Sequence, residues 1–123
     1  AAIARNMDKG GLLLFDVNSP FKHESILADN TFVYDLGDIF CVWENEFSKR
    51  ENRVDISLNI FSEGKNGKYS RTEEFFSERA YPMEEIVEML AESGFKLLEK
   101  REFLKKKAAA ENNEKWFFAA RKI

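Results

Sequence analysis

The chain has 123 residues, which fits one domain or part of one, and its 44% hydrophobic content can fill a sizeable core. A formal charge of -3 speaks against a nucleic-acid surface, because nothing here would neutralise a run of phosphates, and no apolar stretch is long enough to span a membrane. The single cysteine, Cys41, cannot form an internal disulfide and points to a reducing, cytoplasmic setting; with one histidine, His23, a metal site or a Cys–His nucleophile pair is poorly supported.

Taken in order, Ala1 to Met7 reads like the last turns of a helix, with Asp8-Lys9-Gly10-Gly11 as its glycine stop and no initiator methionine before it. A chain that opens inside a helix is expected to be a piece of a longer protein. Leu12 to Phe15 is an unbroken apolar run, which predicts a strand covered on both faces. Asp16, Asn18 and Ser19 follow at once and Pro20 stops the segment. In open α/β sheets, ligands sit beyond the carboxyl ends of such strands, so this change from apolar to polar is where chemistry is sought first. Ser19-Pro20 is a start signal for a short helix over Phe21–Leu27, broken at Ala28-Asp29-Asn30.

Segments of β character follow. Thr31 to Tyr34 is all β-branched or aromatic, and Ile39 to Phe47 carries Ile39, Cys41, Trp43 and Phe47 on one parity. Arg53 to Phe61 alternates cleanly, with Val54, Ile56, Leu58 and Ile60 inward, the signature of a half-buried antiparallel strand. Asn66-Gly67 is a strong hairpin signal, and Lys68 to Tyr81 returns as a third strand in which Phe75-Phe76 predicts a bulge. Pro82, Glu84 and Glu85 open a helix with an apolar stripe of Met83, Ile86, Val87 and Leu90, closed by Gly94. Phe95 to Phe103 reads as a strand. Lys105 to Glu114, which holds the basic cluster Lys105-Lys106-Lys107, reads as a polar, partly helical or disordered connection. Trp116 to Ala120 is apolar on both faces and is expected to lie centrally in a sheet. There is no internal repeat and no domain boundary in the sequence, so the expectation is one partial domain over residues 1–123.

The order of these elements resembles a known family. Helix end, Asp8-Lys9-Gly10-Gly11 turn, apolar strand ending Phe15-Asp16-Val17-Asn18-Ser19-Pro20, helix ending Glu92-Ser93-Gly94-Phe95, strand, and a last strand Trp116-Phe117-Phe118-Ala119-Ala120-Arg121-Lys122 look like the C-terminal half of a class I S-adenosylmethionine-dependent methyltransferase. Asn30-Thr31-Phe32, Trp43-Glu44-Asn45-Glu46 and Glu78-Arg79-Ala80-Tyr81 are similar to a bacterial small-molecule subgroup with an antiparallel insertion after the fifth strand. The resemblance implies an α/β fold: the C-terminal part of a Rossmann-like sheet, strands 5, 7 and 6, with an inserted antiparallel sheet over about residues 31–81. It places the final strand antiparallel between Leu12–Phe15 and Phe95–Phe103. It also implies that the cofactor, S-adenosylmethionine, is bound mainly by an N-terminal half not present here, since the family's glycine-rich loop has no counterpart. The fragment alone is then expected to be inactive. The strand of residues 12–15 would keep one edge bare and pair with the missing half or with a second copy.

Methyl transfer is an in-line displacement in which the protein mainly positions the acceptor and excludes water. Candidate acceptor-binding residues are Asp16 and Asn18, which would orient the acceptor or take its proton, against plain turn capping. Tyr34 and Trp43 would line an aromatic pocket, against packing in the inserted sheet, and Tyr81 precedes a helix start, against packing again. His23 is a candidate base, against a surface or part-buried role. Glu44 and Glu46 share a strand face but read as solvated. No residue is assigned to the cofactor or to a metal. The other reading is a stand-alone α+β module whose aromatic sheet grips a ligand or a protein.

Overall fold

The computed structural model describes residues 2–123. In chain order the elements are α1 (Ala2–Arg5), β1 (Leu12–Asn18), a π-helical turn (Lys22–Leu27), β2 (Thr31–Asp35), β3 (Ile39–Ser48), β4 (Arg53–Glu63), β5 (Tyr69–Arg79), α2 (Met83–Glu92), β6 (Phe95–Glu102) and β7 (Lys115–Lys122). They form two compact units: one from the segment up to Lys22 together with Ala80–Ile123, the other from His23–Arg79. No described helix is long and apolar enough to cross a membrane.

The first unit holds a three-stranded sheet in the order β1-β7-β6, antiparallel throughout, so the closing strand lies between the other two as its two-faced apolar pattern requires. Trp116, Phe118 and Ala120 of β7 are buried with Ile86 and Leu90 of α2 and Phe95 of β6. Phe15 of β1 faces Phe118 in register, and the rings stack with centroids 5.1 Å apart. The Trp116 indole N–H donates to the Ala110 carbonyl oxygen at 2.9 Å, so a large buried ring keeps its one polar group satisfied. Pro82 accepts the first helical bond of α2 from Ile86 N–H, and Gly94, at φ 82, ends the helix where a side chain would be strained.

Three expectations are corrected here. β1 is covered on one face only: Leu13, Phe15 and Val17 pack on the core, whereas Leu12 and Leu14 are 55% and 60% exposed. Among the described residues α2 packs with one face of β1, and β1 is an edge strand, so an unbroken apolar run did not mean two covered faces. Lys105 to Glu114 is neither helical nor disordered. It is a chain of turns tied by Glu102 N–H to Lys107 O at 3.0 Å, Phe103 N–H to Lys115 O at 3.0 Å and Ala110 N–H to the Asn113 side chain at 2.7 Å. The sheet's irregularity lies between Leu97 and Glu99, not at Phe75-Phe76.

The second unit is a four-stranded antiparallel sheet in the order β2-β3-β4-β5. β4 and β5 pair without interruption from Arg53↔Arg79 to Glu63↔Tyr69, so Phe76 opposes Ile56 on one face while Phe75, 71% exposed, points the other way. The hairpin between them turns at Gly67, at φ 74, as its Asn-Gly signal predicts. Val54 and Ile56 are fully buried with Leu27. The expected short helix before β2 is a π-type turn in which Ala28 N–H bonds the carbonyl of His23, five residues back, at 2.7 Å.

Candidate functional site

The two faces of the four-stranded sheet differ in chemistry. Register and strand alternation put Phe32 and Tyr34 (β2), Ile39, Cys41, Trp43, Asn45 and Phe47 (β3), even-numbered Val54 to Ser62 (β4) and even-numbered Ser70 to Glu78 (β5) on one face. That face is aromatic and aliphatic, and its charged strand residues are Glu74 and Glu78. The other face carries Arg53, Arg71 and Arg79 together with Asp55 and Glu73. There the Arg53 guanidinium pairs with Asp55 at 3.0 Å and with Glu51, and Arg71 pairs with Glu73 at 3.4 Å and donates to Asn59 Oδ1 at 2.7 Å. Asp55 is held below the usual carboxylate range, chiefly by the Ser77 hydroxyl and then by Arg53. This second face carries six strand carboxylates against three arginines, together with apolar residues of its own, Phe40, Phe61 and Phe75 among them.

The aromatic face has a fixed centre. Trp43 lies 5.5 Å from Phe32 and 6.4 Å from Tyr34, centroid to centroid. Its indole N–H donates to Asn45 Oδ1 at 2.8 Å, and the buried Asn45 amide donates in turn to the Asn30 carbonyl at 2.9 Å. This relay leaves the indole one orientation in which its N–H is satisfied. Tyr34 stays 46% exposed at the rim. Cys41 is part-buried on this face. Phe32 and Asn45 belong to the same constellation, and sequence reasoning missed both: Phe32 has the parity of Tyr34, but a buried Asn beside exposed carboxylates gives no signal of its own.

His23 is 1% exposed, with Nε2 3.7 Å from the Glu78 carboxylate and Nδ1 without a hydrogen-bond partner. Burial pushes its pKa below 6.5 while Glu78 opposes that shift.

In the other unit, Asp16 sits on the exposed face of β1 with its carboxylate 3.2 Å from Lys115 Nζ, and Asn18, opposite Lys115 in the register, shares that face two residues on. Tyr81 packs against the core of α2, β6 and β7. The structure therefore joins Tyr34 with Trp43 and places Asp16 beside Asn18. Ser19, passed over as a site residue, is fully buried; its hydroxyl donates to Asn113 O at 2.5 Å and accepts from Lys22 N–H at 3.1 Å, an N-cap for the turn that follows.

No family model matches the chain. It is 32% identical over 116 residues to a protein of Geobacillus sp. (strain WCH70) named "Putative methyltransferase", covering 94% of this chain and 47% of that one. It is also 32% identical over 122 residues to "Putative methyltransferase YqeM" of Bacillus subtilis (strain 168), covering 98% and 49%. Among solved structures, a S-adenosylmethionine-dependent methyltransferase from Clostridium acetobutylicum ATCC 824 superposes with a TM-score of 0.86 at 29% identity, over 98% of this chain and 48% of that one. The chain's homologues are methyltransferases. It spans about half the length of the methyltransferases it matches, in keeping with the C-terminal half that its residue pattern resembles.

The solved neighbour from Clostridium acetobutylicum is S-adenosylmethionine-dependent, and the glycine turn before β1 does not fit that group. The adjacent glycines Gly10 and Gly11 spend their N–H groups on Lys122 O at 2.8 Å and Asp8 O at 3.0 Å, so neither offers a free amide to a ligand. Ser19 N–H, at the exit of β1, is bonded to Glu114 O at 3.0 Å.

Proposed function

We propose that this chain is the acceptor-side half of a S-adenosylmethionine-dependent methyltransferase acting on a small molecule. In this reading β1, β7 and β6 correspond to strands 5, 7 and 6 of the enzyme's sheet, and the sheet of residues 31–81 is its acceptor-side insertion. Asp16, Asn18, Tyr34, Trp43 and Tyr81 stand on the acceptor side. The donor is held by an N-terminal half of similar length, and the present chain alone does not turn over.

The observation that carries the reading is the half-length match joined to the state of β1. Its outer edge is unpaired among the described residues, Leu12 and Leu14 are exposed on one face, and on the other an open groove of about 410 Å³ runs between Leu13, Phe15 and Val17 and the helix residues Ile86, Met89 and Leu90. An apolar strand open at its edge and on one face, with a groove beside its covered face, suits a neighbouring strand with its flanking helices. We assign that place to the N-terminal half.

The test is thermal shift with S-adenosylmethionine on this chain and on a chain extended N-terminally to the length of the relatives. Stabilisation of the extended chain alone supports the reading. Stabilisation of neither favours a stand-alone α+β binding module, and a stable dimer of the 123-residue chain through β1 would assign the edge to a second copy instead.

A further inference from the structure

We infer that the aromatic face of the four-stranded sheet receives its ligand as an amine, with an apolar body against Phe32, Tyr34 and Trp43 and the cationic nitrogen toward Glu74. The inference rests on the acceptor-side reading and adds the chemical class of the acceptor.

It is argued from charge placement. One rung of the sheet runs Phe32↔Trp43↔Leu58↔Glu74, and the next runs Tyr34↔Cys41↔Ile60↔Thr72, all on one face. Trp43 and Glu74 stand two strand spacings apart, about 10 Å between backbones, with part-buried Leu58 between them. A glutamate side chain is long enough to span part of that gap, and an amine a few bonds removed from a ring bridges the rest. Every arginine of the four strands lies on the opposite face, where Arg53 pairs with Asp55 and Arg71 with Glu73. On the aromatic face the carboxylates have no such neighbours: Glu78 is engaged by His23, and Glu74 is exposed with no ion-pair partner among the described residues. An aromatic surface attracts cations through the negative faces of its rings, and an unbalanced carboxylate beside it adds to that attraction. The same arrangement repels a carboxylate or phosphate ligand, since no Lys or Arg of the strands answers it. The indole supplies no donor to a ligand either, because Asn45 holds its N–H. What remains for recognition is ring faces, aliphatic surface and one negative charge.

The experiment titrates the 123-residue chain at pH 7 with three probes of one shape: protonated phenethylamine, 2-phenylethanol and phenylacetate. The readout is the indole N–H resonance of Trp43, assigned with Trp43→Phe. The expected result is a saturable shift with phenethylamine, at least about threefold tighter than the alcohol and about tenfold tighter than phenylacetate. Glu74→Gln, on an exposed position of an edge strand, should abolish the preference over the alcohol while leaving the alcohol's own binding unchanged. Equal binding of the three probes, a preference that survives Glu74→Gln, or no perturbation of Trp43 overturns the inference. Donor binding to the extended chain is read separately. If that persists while the amine preference fails, only the acceptor class falls; if it fails while the preference persists, the methyltransferase reading falls and an amine-binding sheet stands.

Discussion

The Ser19 hydroxyl donates to the carbonyl oxygen of Asn113 at 2.5 Å, across 94 residues of sequence, and so ties the exit of β1 to the entry of β7. The Ser19 hydroxyl oxygen also accepts from Lys22 N–H, and Ser19 N–H bonds Glu114 O. Ser19→Ala removes a cap and leaves buried backbone groups unpaired. We expect a loss of about 2 kcal/mol, read as a lower urea midpoint at unchanged slope.

Asn45 accepts from Trp43 and donates to Asn30, so its removal leaves the part-buried Trp43 indole N–H unpaired, while the Asn30 carbonyl keeps its bond from the backbone N–H of residue 45. Asn45→Ala should cost about 2 kcal/mol and broaden or split the Trp43 indole resonance as the ring gains orientations. A sharp, unmoved resonance would show that packing against Phe32 alone fixes the indole.

His23 gives stability a pH dependence of known sign. Burial lowers its folded pKa below 6.5, against the pull of Glu78, so the unfolded chain binds the proton more readily in the window between the folded value and 6.5. The neutral-His contribution is therefore complete above about pH 6.5 and falls away as pH drops through that window. Unfolding midpoints measured from pH 7.5 to 5.5 should decline more steeply for the native chain than for His23→Gln. Parallel curves would assign the acid sensitivity to the carboxylates.

Leu14 is 60% exposed, so Leu14→Lys should leave the stability of the 123-residue chain within about 0.5 kcal/mol. If β1 receives the N-terminal half, the same substitution should weaken co-purification of the two halves severely. Undiminished association would place the contact elsewhere.

Much of this architecture was legible in the residues. β4 announced itself because Val54, Ile56, Leu58 and Ile60 alternate with polar neighbours, and Asn66-Gly67 fixed the hairpin that follows. α2 and the central place of β7 followed from an apolar stripe and from an apolar run with small residues at its end. β1 misled because a pattern reports what a strand can bury, whereas coverage depends on which elements are there to bury it. The bulge in β6 escaped because its cause lies in pairing with β7 and not in a local dipeptide. Of the site, Tyr34 and Trp43 were readable as aromatics on one parity, but the Asn45 relay depends on a contact with Asn30 that no local pattern encodes.

His23 and Glu78, near the two ends of the second unit, lie within 3.7 Å of each other, so the peptide enters and leaves that unit side by side. A unit whose two ends meet can be lengthened, trimmed or traded for another without rethreading the chain on either side of it. Changes in residues 23–79 can therefore accumulate while the rest of the chain stays under the constraints of its own core.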